Sequence, residues 1–319
     1  MGGSFQRQLP PALMAGHIGR ISIKIAAFFI GLYSAYSMSL QTYFLPEMGV
    51  WLVLGLAIVL ALGRHCLWPV ALAASLMSAL LSGLIDGSGI AIIALGGGAA
   101  WLATKASGWK SWLLQIFVVL WAVALAAHLL PGFNNLNVLD QVTTGDASTP
   151  FSLYFNLDKP MLIFAFLLLM PGMLQKDRQT GSIQKSALAG VTLLSVFLIG
   201  WSIGLIKPEL SVPEWIVLFA FNNLLLTSVA EEVFFRGYLQ NTLARFGMPV
   251  AIGLSSLLFG LAHFSGGVAY VVLAALAGAC YGVIYWASGR LYIAILAHFG
   301  FNMIHLICFT YPFSLGSTH

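Results

Sequence analysis

Glu231, Glu232, Arg236, His263, His298 and Asn302 are the residues of this chain whose types and spacing could do chemistry. The two acids and the arginine stand inside an otherwise apolar stretch, VAEEVFFRGYLQ, from Val229 to Gln240. On a helix Glu232 and Arg236 are four apart and share a face, while Glu231 points about 100° away from Glu232. One acid can therefore be held by the arginine while the other faces elsewhere. FGLAH ends on His263, and HFGFN opens on His298 and closes on Asn302, each one helical turn long in an apolar pattern. Charges inside a hydrophobic span are costly and by default mark a functional site. Hydrolytic chemistry needs a nucleophilic water, a base to activate it and donors for the developing oxyanion. A desolvated carboxylate can be that base, and an imidazole can orient water or stabilise charge.

EExxxR, FxxxH and HxxxN, in this order on successive apolar segments, resemble the CAAX protease and bacteriocin-processing family (CPBP, also called Abi) of intramembrane proteases. The resemblance runs from Pro213 to Phe309, about a third of the chain. It implies a glutamic-type endopeptidase in which Glu231 is the catalytic base, acting with His263 on the water. His298 and Asn302 would stabilise the oxyanion, Glu232 and Arg236 would form a supporting pair, and Phe259 would pack the site. The implied substrates are membrane-associated peptide or protein tails, and relatives suggest prenylated CaaX tails among them. Two histidines and a glutamate can hold zinc with one position open. HExxH is absent, however, and the ligands would come singly from three helices, so no obligatory metal or other cofactor is expected. Gly253-Leu254-Ser255-Ser256 resembles the rhomboid serine motif, but Phe301 stands where the rhomboid histidine helix needs a glycine.

These residues need a bilayer scaffold. The 319 residues are 60% hydrophobic and 8% charged, with a mean hydropathy of +0.93. That composition predicts an all-α, polytopic transmembrane helix bundle of about eight to eleven spans. The apolar runs lack the period-two alternation of membrane strands. Net charge is +4, but the basic residues are scattered singly between spans, which argues against a nucleic-acid partner. Cys66, Cys280 and Cys308 sit singly and read as small buried hydrophobes. The N-terminus shows no cleavable-signal pattern, so the first span is expected to be retained.

Breaks at charges, Gly and Pro predict spans near 21–40, 49–63, 66–85, 89–104, 111–130, 160–174, 186–206, 214–245, 249–264, 267–287 and 291–310, the second, fourth and sixth being short. With the N-terminus in the cytoplasm, all basic residues outside the spans but Lys159 and Lys207 fall on the inside, as the positive-inside rule requires. A multi-pass protein of the inner or cytoplasmic membrane is expected if the source is bacterial. Pro131–Pro160, rich in Asn, Asp, Thr and Gly, reads as an external connector rather than a lid, and its end, FNLDKP, can begin the catalytic half. Residues 1–150 then form an N-terminal region of about five spans plus this loop, and 151–319 a catalytic region with its motif core at 213–309. Gly96–Gly98 reads as a close helix contact. Arg64, His65 and His128 read as interface anchors near span ends.

Helical rise puts Glu231 and His263 roughly 20 Å from the cytoplasmic face, with His298 and Asn302 at roughly 12 and 18 Å. Asn223, Thr227 and Glu231 form one polar stripe, and Ser228, Glu232 and Arg236 another; both must face protein or water. Two other readings keep the same residues: a non-catalytic membrane scaffold or peptide-binding immunity factor, and a proton-coupled transporter. The motif set argues against the first, and the lack of an evident inverted repeat against the second.

Overall fold

The architecture is taken from a computed structural model that describes residues 47–175 and 182–317. The predicted span 21–40 and the charges at Arg7, Arg20, Lys24, Lys176 and Arg178 lie outside the described residues. Among the described residues, ten helices and one β-hairpin follow in order. They are α1 (Met48–Leu62), α2 (Trp68–Leu81), α3 (Gly87–Lys105), α4 (Gly108–Ala126), β1 (Leu136–Val142), β2 (Phe151–Phe155), α5 (Met161–Leu169), α6 (Ile183–Ser202), α7 (Ile216–Phe246), α8 (Met248–Leu261), α9 (Gly267–Ser288) and α10 (Leu291–Cys308). The protein is a polytopic helical membrane protein. Among the described residues six helices (α3, α4, α6, α7, α9 and α10) are long and apolar enough to cross a membrane.

The other predicted spans are helical but short. α8 has 14 residues, roughly 21 Å of helix against a hydrocarbon core of about 30 Å. It ends at Leu261; after Ala262 and His263 the chain makes a single 3-10 turn at Phe264–Gly266, and Gly267 takes φ +82. α2 also has 14 residues and ends two residues before Gly83, which takes φ +71. The segment read as short at 89–104 is a full-length helix of 19 residues, whose Asp86 cap accepts from the Ser88 and Gly89 amides. Hydrogen bonds from the Ser88 hydroxyl and those amides hold the Asp86 carboxyl below the usual carboxylate range.

The 131–160 segment is more than a connector. β1 and β2 pair antiparallel from Leu136↔Phe155 to Val142↔Phe151, and β2 (FSLYF) turns Phe151, Leu153 and Phe155 to one face. The two rings dock along the start of α7: Phe151 lies 5.3 Å from Trp215, the residue just ahead of the helix, and Phe155 5.7 Å from Phe221, centroid to centroid. α5 continues in the same direction, with Phe166 4.6 Å from Tyr238. Strand and half-length helix therefore run along one long helix. The hairpin turn is fixed by Glu209, which accepts from the Ala147 amide (2.9 Å) and the Ser148 hydroxyl (2.5 Å). The hairpin links the two sequence regions across residue 150, and Pro46–His319 is one compact unit.

α7 is the central element. Its α-helical turn Val229–Glu232 is flanked by π-helical turns at Asn222–Ser228 and Val233–Gln240. Such widened turns recur at functional sites. α9 approaches α7 closely through Gly278 and Gly282, one turn apart, whose carbonyls accept from Arg236 (2.8 Å) and Gln240 (3.1 Å). A Cβ at Gly278 would lie 3.1 Å from both the guanidinium and the Phe259 ring, so the small residue is what admits the arginine. In the N-terminal helices Gly96 lets α3 meet Trp121 face-on, whereas Gly97 and Gly98 meet nothing. Cys66, expected to be buried, is exposed in the α1–α2 turn.

Candidate active site

The two acids on α7 have different surroundings. Glu232 and Arg236 are fully buried and paired at 2.8 Å. The guanidinium also donates to the Gly278 carbonyl and lies 4.5 Å from the centre of the Phe259 ring and 5.2 Å from that of Tyr281. A charge excluded from water needs this density of partners. Glu232 Oε1 additionally accepts from His298 Nδ1 at 2.9 Å. Glu231 faces the other way, as its position one residue earlier requires. Its Oε1 takes the Lys159 ammonium at 2.6 Å, and its Oε2 lies 3.9 Å from His298 Nε2.

The histidines are held by their Nδ1 atoms. His298, on α10, gives Nδ1–H to a carboxylate, and Tyr281 stacks on its ring at 4.7 Å and 17°. His263 lies just beyond the end of α8, not within a helix as the pattern predicted, and gives Nδ1–H to the Phe259 carbonyl at 2.8 Å. A carbonyl only accepts, so the His263 proton sits on Nδ1 and Nε2 keeps its lone pair. Phe259 touches His263, His298, Arg236 and Tyr281, which makes it the packing centre of the site. Asn302, one turn after His298, donates to Asn223 Oδ1 at 3.3 Å. Asn223 also accepts from the Ser228 hydroxyl five residues on, at 3.3 Å, the spacing of a π turn.

Glu231, His263, His298 and Asn302 all line one cavity of about 200 Å³, together with Asn223, Thr227, Tyr270 and His305. Tyr311 and Phe313 from the C-terminal segment lie on the same wall, and burial raises the Tyr311 phenol. Glu231 and His263 also line a second, more apolar groove of about 430 Å³, walled by the end of α4, Leu162, Phe234, Phe235 and Phe264. The carboxylate and imidazole thus line both a chamber of mixed polarity and a more apolar groove. Among the described residues no three His, Cys, Asp or Glu side chains converge to hold a metal ion.

All seven residues singled out from the motifs therefore meet in one place. Lys159, Tyr281, Tyr270 and Asn223 belong to the same site but were missed as site residues. Lys159 had a signal, as one of two basic residues on the expected outer side; Tyr281 carries none beyond the GxxxG spacing of Gly278 and Gly282 around it. His305, outside the three motifs, also lines the chamber. His128, read as an interface anchor, pairs with buried Asp158 at 2.7 Å.

Fold and site together define a multi-pass membrane protein with a carboxylate–histidine centre between its helices. Residues 213–304 match the family model described as type II CAAX prenyl endopeptidase Rce1-like, which bears out the resemblance to the CPBP family. The matched stretch contains all seven motif residues and supports endopeptidase activity of the CAAX type in general. No curated protein and no solved structure matches the chain.

Proposed function

We propose that the chain is an intramembrane endopeptidase that hydrolyses peptide bonds in membrane-associated peptide or protein tails, lipid-modified CAAX-type tails among them. The observation that carries this reading is that Glu231, His263 and His298 line one chamber while Glu232 and Arg236 neutralise each other beside it. A water in that chamber attacks the carbonyl carbon as its proton passes to Glu231, with His263 Nε2 orienting it. The tetrahedral intermediate expels the amine, which takes the proton as the C–N bond breaks. Asn302 supplies a neutral N–H for the oxyanion. His298 donates there from Nε2 only when doubly protonated, because Nδ1–H is already given to Glu232. The apolar groove on the far side of Glu231 suits a tail arriving from the lipid. The reading requires no metal, and full activity after chelation is expected. We also propose a cytoplasmic N-terminus, supported by the distribution of Lys and Arg.

The test compares the termini of membrane proteins in cells expressing wild type or Glu231→Gln. New termini formed only with wild type are expected, and would identify substrate and cleavage position together. Identical termini, with both proteins folded and abundant, would sink the protease reading in favour of binding or transport.

A further inference from the structure

Lys159 lies outside the stretch that matches the endopeptidase family and belongs to none of the three motifs. Yet its ammonium is 2.6 Å from Glu231 Oε1, with both side chains largely shielded. We propose that Lys159 is a positioning residue for the hydrolysis described above: it fixes Oε1 of Glu231 and so turns Oε2 towards the chamber. The inference rests on that hydrolase reading.

The two oxygens of a carboxylate are chemically alike until something distinguishes them. Here Oε1 is bound by a cation at the groove side, and Oε2 is the oxygen that lies 3.9 Å from His298 Nε2. A free carboxylate would rotate about its last bond and spend part of its time with neither oxygen aimed at a water. The lysine stem is flexible and would lose several rotamers to make this contact, so its origin must be fixed. It is. Asp158, 1% exposed, accepts the Lys159 amide at 2.8 Å, the Asn135 amide group at 3.3 Å and the His128 ring at 2.7 Å. Pro160 then restricts the backbone immediately after the lysine. His128 follows α4 and Asn135 precedes β1, so the hairpin and an N-terminal helix together hold the base of Lys159.

The groups facing Glu231 from each neighbouring element are Lys159 ahead of α5, His263 beyond α8, Tyr270 and Tyr281 on α9, and His298 on α10. Lys159 alone among these hydrogen-bonds Glu231 directly, through Oε1 at 2.6 Å. It is therefore the group that fixes one oxygen. Residues ahead of the matched stretch 213–304 thus supply part of the active site as well as its support.

The test uses the full-length protein in lipid nanodiscs and a fluorogenic, lipid-modified CAAX-type peptide. Lys159→Met keeps the stem and removes the charge. We expect kcat to fall about 10- to 100-fold, as for a misplaced catalytic group, with KM nearly unchanged. Lys159→Arg, which keeps the charge, should recover most of that loss. Wild-type kcat in Lys159→Met, or equal losses in Met and Arg variants, would overturn the inference. Melting temperatures of Lys159→Met, Glu231→Gln and the double variant give a readout independent of turnover. Non-additive shifts are expected of a direct pair, and strictly additive shifts would overturn it. If wild type cleaves no tail while the melting shifts remain coupled, the hydrolase reading fails and the ion pair stands. If cleavage is normal and the shifts are additive, the inference fails alone.

Discussion

Removing the charge of Arg236 should destabilise the whole helix bundle, and the reason is electrostatic. Arg236 and Glu232 are both completely buried, 2.8 Å apart, and the guanidinium also satisfies the Gly278 carbonyl. Arg236→Met keeps most of the volume but leaves Glu232 with only His298 as a polar partner. Breaking one side of a buried ion pair costs about 3–5 kcal/mol, because the surviving charge remains desolvated. At about 2–4 °C per kcal/mol for a sizeable domain, the melting temperature should fall by about 6–20 °C. Replacing both partners, as Glu232→Gln with Arg236→Met, removes the stranded charge and should recover most of that loss. Activity should not recover with it. His298 loses the carboxylate that fixes its tautomer, so kcat should stay about 10- to 100-fold low. The assay is thermal unfolding of the purified protein in detergent, followed by intrinsic fluorescence, alongside peptide turnover below the transition. Equal melting temperatures for wild type and Arg236→Met would refute the argument. So would a double variant that melts lower than both single ones.

Two further perturbations probe the scaffold away from the chemistry. Gly96→Ala would drive a methyl into the Trp121 indole; overpacking of this kind costs about 1–3 kcal/mol, so the melting temperature should drop while turnover per folded molecule stays normal. Asp86 caps α3, and hydrogen bonds from Ser88 and Gly89 hold its carboxyl below the usual range. A depressed acid stabilises the fold above its ordinary titration range, and that contribution disappears as pH falls through the folded-state value. Asp86→Ala should therefore melt lower than wild type at neutral pH, with the gap closing towards strongly acidic pH; a pH-independent gap would argue against the cap.

The composition and the three motifs determined the class, because exclusion from water acts on residue type alone. A chain 60% hydrophobic must form helices in a bilayer, and EExxxR read as a helix places Glu232 on Arg236 and turns Glu231 aside. Exclusion from lipid turns these groups towards protein or water, and the folded chain gathers all seven motif residues at one site. Span lengths were less legible. The predicted span 249–264 overran the end of α8 at Leu261, because the chain leaves the helix before the 3-10 turn at Phe264–Gly266 and Gly267 at positive φ, a backbone choice that hydropathy does not encode. Lys159 marks the limit most clearly. Nothing local distinguishes it from a lysine at a loop end, and its partner is 72 positions away. Only the hairpin running down α7, and the buried Asp158 that anchors the backbone, bring its ammonium to Glu231. Short-range pattern fixes which side chains share a helical face; which distant charge meets them is decided by packing, and packing is a property of the folded chain.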